Sequence, residues 1–303
     1  MPFRDIYRRQ AALLVRVLPH VAEEKSFALK GGTAINLFIR NMPRLSVDID
    51  LTYLPVQERA ASLAAIEAGL RRIAASLKKN VGGQVNEGTS EGRVTKLFVH
   101  VDRVQVKIEV TPVIRGCVFQ VKTRRVAPPV EDTFGFAEMQ IVSFPDLYAG
   151  KAVAGLDRQH PRDFFDWRDL LANEGINDEL RRAFLVYMLS HNRPMFEVLA
   201  PPRKDLTQLF AREFDGMTDK PVKIEELVAA REELIAGIVG DMPDSHRNFL
   251  LAFERGQPDW KILGIAHVAT LPAVKWRQFQ LDNNITKEER ATLVAELEKV
   301  LSK

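Results

Sequence analysis

The sequence predicts an α+β protein: a mixed α/β half over residues 1–144, then an all-helical half over residues 145–303. Three observations carry this. Residues 46–54 (SVDIDLTYL), 94–101 (VTKLFVHV) and 104–113 (VQVKIEVTPV) are β-rich, and the first and last alternate apolar with polar side chains. Beyond Pro145 apolar residues recur at helical spacing. Of 303 residues, 46% are hydrophobic and 27% charged, which is globular composition for about two domains of roughly 150 residues each.

The elements follow in order. Ile6, Leu13, Leu14, Val17 and Val21 mark a helix over 4–24. Phe27-Ala28-Leu29 is a short apolar entry to Gly31-Gly32-Thr33, after which a second helix runs from about Ala34 to Arg40 and ends at Pro43. In the strand over 46–54, Val47, Ile49 and Leu51 point one way; Ser46, Asp48, Asp50 and Thr52 point the other. Residues 57–79 return to helix, closed by Gly82-Gly83. Asp102-Arg103 between two β-rich runs predicts a tight hairpin, and 117–122 offers a further strand. Pro128-Pro129 marks a loop, and β character ends near Val142. Helices are expected at 145–157, 162–173, 178–189, 204–212, 223–239, 245–255, 258–269 and 286–302.

Forty-three basic against 40 acidic residues leave +3, so any basic footprint for a nucleic acid must be local. Cys117 is the one cysteine, which excludes an intramolecular disulfide and a Cys-rich zinc site; a buried thiol is expected. The charged N-terminus reads as no signal peptide, and no apolar run approaches the roughly 20 residues that span a bilayer. The expected setting is the reducing cytoplasm, with no membrane partner.

Chemistry concentrates in residues 31–50. Strand geometry puts Asp48 and Asp50 on one face, one pleat apart. Like charges that close repel, so the pair asks for a cation; a hard divalent ion such as Mg²⁺ (or Mn²⁺) beside phosphates fits. Gly31 and Gly32 let a polyphosphate approach the backbone, where N–H groups at a helix N-terminus point at it. Thr33 is placed to cap that helix or bond a phosphate oxygen, and Arg40 and Arg44 are further phosphate candidates. Glu109 is a third carboxylate, on the polar face of another strand. If the two strands are neighbours, three carboxylates can hold two ions about 3.5–4 Å apart, with Glu109 on the ion that activates the attacking hydroxyl, or acting as its base. The alternative is that Glu109 pairs with Lys107 or Lys96 on an exposed face.

A second block spans 151–169 (KAVAGLDRQHPRDFFDWRD). Lys151 and Arg158 share a helix face two turns apart. Pro161 suits the first position of a new helix, with Asp163 in its first turn and Asp166 one turn on. The block reads either as a salt-bridged helix pair or as a nucleotide clamp: Lys151 neutralising a triphosphate, Asp163 orienting Lys151 or a sugar hydroxyl. Phe164, Phe165 and Trp167 read as core.

Together, Gly31-Gly32-Thr33, Arg44, Ser46-Val47-Asp48-Ile49-Asp50 and Lys151…Arg158…Arg162-Asp163-x-x-Asp166 resemble the AbiEii/AbiGii nucleotidyltransferase toxins, of the DNA polymerase β-like nucleotidyltransferase superfamily. The resemblance covers residues 25–172 by motif and the helical remainder by architecture. It implies a nucleotidyltransferase-type mixed sheet with flanking helices, a helical domain, and the toxin of a bacterial toxin–antitoxin or phage-defence pair. Such toxins transfer a nucleotide from an NTP, several of them to the 3′ end of tRNA, which stops translation; a cognate antitoxin is the implied partner. Carried over, Asp48 and Asp50 bind metal, Gly31, Gly32, Thr33, Arg44 and Ser46 serve the nucleotide, and Lys151, Arg158 and Asp163 complete the site. Many superfamily members have Ser where this chain has Thr33, which keeps the hydroxyl. For an RNA acceptor, Lys122, Arg124 and Arg125, and Arg71, Arg72, Lys78 and Lys79, are candidate basic surfaces, though each reads first as a solvated face. Modification of a protein or small molecule, and nucleotide binding without transfer, are the rival readings.

Overall fold

In the computed structural model, which describes residues 4–302, the chain forms two compact units. One runs to Ser143 and takes in Phe214–Val222; the other comprises Phe144–Glu213 and the chain from Lys223 onward.

The first unit begins with α1 (Asp5–Ala22), whose Leu14, Val17, Leu18 and Val21 are fully buried. β1 (Phe27–Lys30) leads directly into the short α2 (Gly31–Ala34), continued by a wider π-helical turn at Ile35–Ile39. The helix thus starts at the glycines themselves, three residues earlier than their turn character suggested, because Lys30 is already its extended N-cap. β2 (Asp48–Tyr53), α3 (Arg59–Asn80) and β3 (Gln84–Ser90) follow. β4 (Arg93–Val101) and β5 (Val104–Arg115) form the anticipated hairpin, with Asp102 and Arg103 both at positive φ, as a type I′ turn requires. β6 (Lys122–Arg125), α4 (Pro128–Phe134) and β7 (Glu138–Ile141) complete the unit.

The seven strands form one mixed sheet in the order β3-β4-β5-β2-β1-β7-β6. α1 and α3 touch each other and pack on β5 and β4, where Leu97, Val99, Val106 and Ile108 are buried. Sequence periodicity did not mark β3, whose QVNEGTS carries a single apolar residue and lies at the sheet edge. The strand expected at 117–122 begins only at Lys122. Pro128-Pro129 opens a helix rather than a loop, since proline suits the first helical turn. Cys117 is only partly buried. The segment at 214–222 returns to this unit through a Leu45 N–H to Met217 carbonyl bond of 2.7 Å and a bridge between Arg44 and Thr218.

The second unit is helical: α5 (Phe144–Asp157), α6 (Pro161–Asn173), α7 (Asp178–Leu189), α8 (Met195–Leu199), α9 (Thr207–Glu213), α10 (Ile224–Ile235), α11 (Asp244–Glu254), α12 (Pro272–Asn283) and α13 (Lys287–Leu301). Phe164, Trp167, Phe184, Phe249 and Phe253 lie in its core. The helix expected over 258–269 is two short 3₁₀ turns around Gly264, and α12 follows them behind Pro272.

Phe27 is buried in β1 and packs edge-on against Tyr53 of β2, ring centroids 5.9 Å apart. Phe27→Ala is expected to cost about 3–5 kcal/mol, read as a lower thermal unfolding midpoint; an unchanged midpoint would show that this strand pair does not hold the unit together.

Candidate active site

Strand register assembles the acidic residues. β1 and β2 are antiparallel with Lys30 opposite Asp50. β2 and β5 are parallel, with Asp48 opposite Lys107 and Asp50 opposite Glu109. β5 and β4 are antiparallel with Glu109 opposite Lys96. Across four strands one row therefore reads Lys30, Asp50, Glu109, Lys96, and the next carries Asp48 and Lys107. Directly opposed residues share a face of the sheet, so Asp48, Asp50 and Glu109 lie on one face, with Asp50 and Glu109 adjacent across the strands.

The glycine turn is pressed against this row. Gly31 has φ +73°, and a Cβ there would lie 2.6 Å from the Asp50 Oδ2. A Cβ on Gly32 would lie 2.6 Å from the Arg44 Nη2. At Gly31 the left-handed backbone itself favours glycine, while at Gly32 a side chain would displace the Arg44 guanidinium.

Thr33 and Ser46 work beneath the turn. The Thr33 side chain is 1% exposed; its hydroxyl bonds the Asp48 carbonyl and pairs with the Ser46 hydroxyl at 2.9 Å. Thr33 does not cap α2; it ties the turn to the start of β2. Arg44 is likewise buried, 1% exposed, and donates to the Leu45 carbonyl at 3.0 Å.

Charge on the sheet face is balanced. Lys96 Nζ lies 2.9 Å from Glu109 Oε1 and Lys107 Nζ 2.8 Å from Oε2. Burial pushes the Glu109 carboxyl up, but the two lysines outweigh it and hold it below its ordinary range. Burial pulls Lys107 down; Glu109, Asp48 and Asp50 outweigh that and raise it. Lys30 is lowered by burial, against the pull of Asp50 and Glu109, and donates to the Thr111 hydroxyl at 3.3 Å. The pairing of Glu109 with Lys96 and Lys107, weighed from sequence as an alternative to a metal role, is the arrangement present.

Two partly exposed carboxylates one pleat apart, with oxygen donors only, suit a hard divalent ion. The missing side chain at Gly31 lets the Asp50 carboxylate lie directly against the turn. No trio of His, Cys, Asp or Glu gathers at metal-holding distance among the described residues. Asp48 and Asp50 supply the donor type such an ion takes, and Glu109 is engaged by Lys96 and Lys107.

In the second unit His160 caps α6, its Nδ1 accepting from the Arg162 N–H at 3.1 Å, with Nε2 3.0 Å from Glu213. Burial lowers this histidine, which favours the neutral ring that a cap acceptor needs. With Pro161 at the first position, the cap places Asp163 in the first turn, 0% exposed. Lys151 of α5 reaches Asp163 at 2.9 Å and Asp166 at 3.0 Å. Arg158 bonds both Asp163 oxygens at 2.7 and 2.8 Å while its own side chain is 56% exposed. Burial pushes Asp163 up; Lys151 and Arg158 prevail and hold it far below the carboxylate range.

Sequence reasoning did not single out Lys30 or His160. Both carried a signal: Lys30 abuts the glycines, and His160 precedes the proline of a helix start. Of the proposed basic surfaces, Arg71 and Arg72 are ion-paired with Glu67 and Glu24, while β6 is exposed throughout.

A sequence profile of the family described as nucleotidyl transferase AbiEii toxin, type IV TA system, matches residues 12–277. Among solved structures, MenT4, a nucleotidyltransferase toxin from Mycobacterium tuberculosis H37Rv, shares the fold with a TM-score of 0.59 at 16% identity, over 97% of this chain and 95% of its own. A nucleotidyltransferase candidate from H. pylori aligns at a TM-score of 0.43 and 14% identity, over 79% of this chain and 99% of its own. No curated protein matches the sequence.

Asp163 titrates well below its unfolded value near 3.8, so its contribution to stability is complete above about pH 4 and lost as pH falls further. Asp163→Asn leaves the Lys151 ammonium short of one partner and is expected to cost about 3–5 kcal/mol at pH 7. The gap in thermal midpoint between wild type and variant should shrink below pH 4; a gap independent of pH would contradict the charged pairing.

Proposed function

Because this chain belongs to the AbiEii family of nucleotidyltransferase toxins from toxin–antitoxin systems, we propose that it transfers a nucleoside monophosphate from an NTP to the 3′ end of a tRNA and so blocks translation. The observation that carries the reading is the Gly31 backbone set against Asp50, with Asp48 and Glu109 on the same sheet face.

In this reading the triphosphate lies along Gly31 and Gly32, where backbone N–H groups meet its charge. Thr33, Ser46 and Arg44 keep the turn and β2 in register beneath it. Asp48 and Asp50 would hold Mg²⁺ or Mn²⁺, which when bound would supply neutralisation of the phosphates and polarisation of the reacting oxygens. Glu109 attends the acceptor hydroxyl, as a further ligand or as the base that takes its proton. The hydroxyl oxygen bonds the α-phosphorus, the bond from that phosphorus to the bridging oxygen breaks, and pyrophosphate leaves. Most of the acceleration comes from positioning and charge neutralisation. Lys151, Arg158 and Asp163 are assigned to nucleotide binding through the family resemblance: the exposed Arg158 as the cation, Asp163 and the enclosed Lys151 as the groups that position it.

NTPs and tRNA place the work in the cytoplasm, and no helix among the described residues is long and apolar enough to cross a membrane. A cognate antitoxin is the partner that toxin–antitoxin membership implies.

The test is incubation with Mg²⁺, each NTP labelled at the α-phosphate, and total tRNA, resolved on a denaturing gel. Label should enter tRNA, require the divalent ion, and fall more than about a hundredfold in Asp48→Asn and Asp50→Asn, a loss of several kcal/mol of transition-state stabilisation. Asp50→Asn also removes the carboxylate opposite Lys30, whose charge burial already disfavours, and is expected to lower the thermal midpoint, so the variants are assayed at a temperature where each is folded. Label found in protein alone would end the tRNA reading; a fully active Asp48→Asn variant would end the metal site.

A further inference from the structure

The glycine turn that receives the phosphates lies on the β1 side of Asp50. The opposite side of the row, across β5, β4 and β3, has a composition of its own. Register puts Glu109 and Lys107 of β5 opposite Lys96 and Phe98 of β4, and Phe98 opposite Asn86 of β3. Their neighbours in sequence, Leu97, Val99, Val106 and Ile108, are buried on the other face. The upper face is open: the Lys96 side chain is 39% exposed and that of Lys107 30%, Phe98 is half-buried and Asn86 exposed. Phe98 has a place to lie because β3 carries Gly88 beside it; a Cβ there would come within 3.0 Å of the ring.

An aromatic ring on an otherwise polar sheet, flanked by two lysines and an amide, suits a planar, anionic partner. Stacking on an aromatic together with cations along a backbone is the chemistry that holds single-stranded nucleic acid. A protein partner would ask for an apolar centre, which this face lacks. Position adds to composition. A nucleotide on the β1 side leaves the attacking group to arrive from the β5 side, at Glu109. The two lysines now bonded to Glu109 are compact charges on rotatable stems, able to pass from a carboxylate to a phosphodiester.

We propose that the β3–β4–β5 face is the acceptor platform: Phe98 stacks a base of a single-stranded RNA end, and Lys96 and Lys107 hold the phosphates preceding the hydroxyl delivered at Glu109. This rests on the nucleotidyl-transfer reading above and deepens it by naming where the acceptor lies. Phe98, Lys96 and Lys107 are positioning residues for the acceptor, distinct from the groups that hold the NTP.

The experiment uses the full chain and a short fluorescent single-stranded RNA with a free 3′ hydroxyl. Binding is read by anisotropy across a salt series, NTP binding by calorimetry, and transfer as KM for the RNA and kcat separately. Phe98→Ala and Phe98→Leu should each weaken RNA binding about tenfold and raise KM alike, with NTP affinity unchanged. Leucine keeps the packing beside Gly88, so loss in both variants reports stacking rather than a collapsed strand. Lys96→Gln with Lys107→Gln should weaken RNA binding more than tenfold and lower the salt slope by about 1.4; Lys96→Arg with Lys107→Arg should restore most of it. Unchanged RNA affinity and KM in the phenylalanine and glutamine variants, with wild type still modifying RNA, would overturn the platform while leaving the transfer reading intact. Wild type that labels protein and neither binds nor labels RNA would overturn both.

Discussion

The first unit is organised around the contact between the Gly31 backbone and the Asp50 carboxylate. β1 must turn immediately after Lys30 for α2 to begin, and β2 must return antiparallel so that Asp50 meets the turn. Everything on that face follows from this register: Glu109 beside Asp50, Lys107 beside Asp48, Lys96 beyond Glu109. Three carboxylates so placed repel one another. Lys30, Lys96 and Lys107 match them in number and are drawn from the strands on either side. The Thr33 hydroxyl then locks the turn to the Asp48 backbone from below.

The two charged clusters solve different physical problems. On the sheet, the lysines and Glu109 are partly solvated, and exposed pairs of this kind are individually weak, which leaves their partners exchangeable. In the helical unit, Lys151 is enclosed by Asp163 and Asp166, all but sealed from water. A dry ion pair stays intact because breaking either half strands a buried charge. Arg158 joins the two regimes: it grips a wholly buried carboxylate while most of its own side chain remains in solvent. Such an anchored guanidinium loses little freedom on meeting an anion.

Much of this was legible in the residues. The alternation at 46–54 and 104–113 announced two half-buried strands and put Asp48, Asp50 and Glu109 on their polar faces, and the structure makes those strands neighbours. The balanced charges at 151–169 announced the ion pairs of α5 and α6. What stayed hidden depended on tertiary context. β3 has almost no apolar alternation to detect, because an edge strand needs only one face and little of it. Arg44 reads from sequence as a phosphate candidate but is buried where a distant segment closes over it. Lys30 gains its meaning only from the strand it faces.

That distant segment has a temporal implication. Leu45 and Arg44 complete their backbone bonding with Met217 and Thr218, residues made more than half a chain later. During synthesis at about 5–20 residues per second, the stretch between the glycine turn and β2 waits many seconds for the strap that covers it. A nascent chain cut short before that point would carry every sheet carboxylate yet lack the backbone partners of Arg44 and Leu45, so the scaffold beneath the glycine turn is completed only when most of the polypeptide exists.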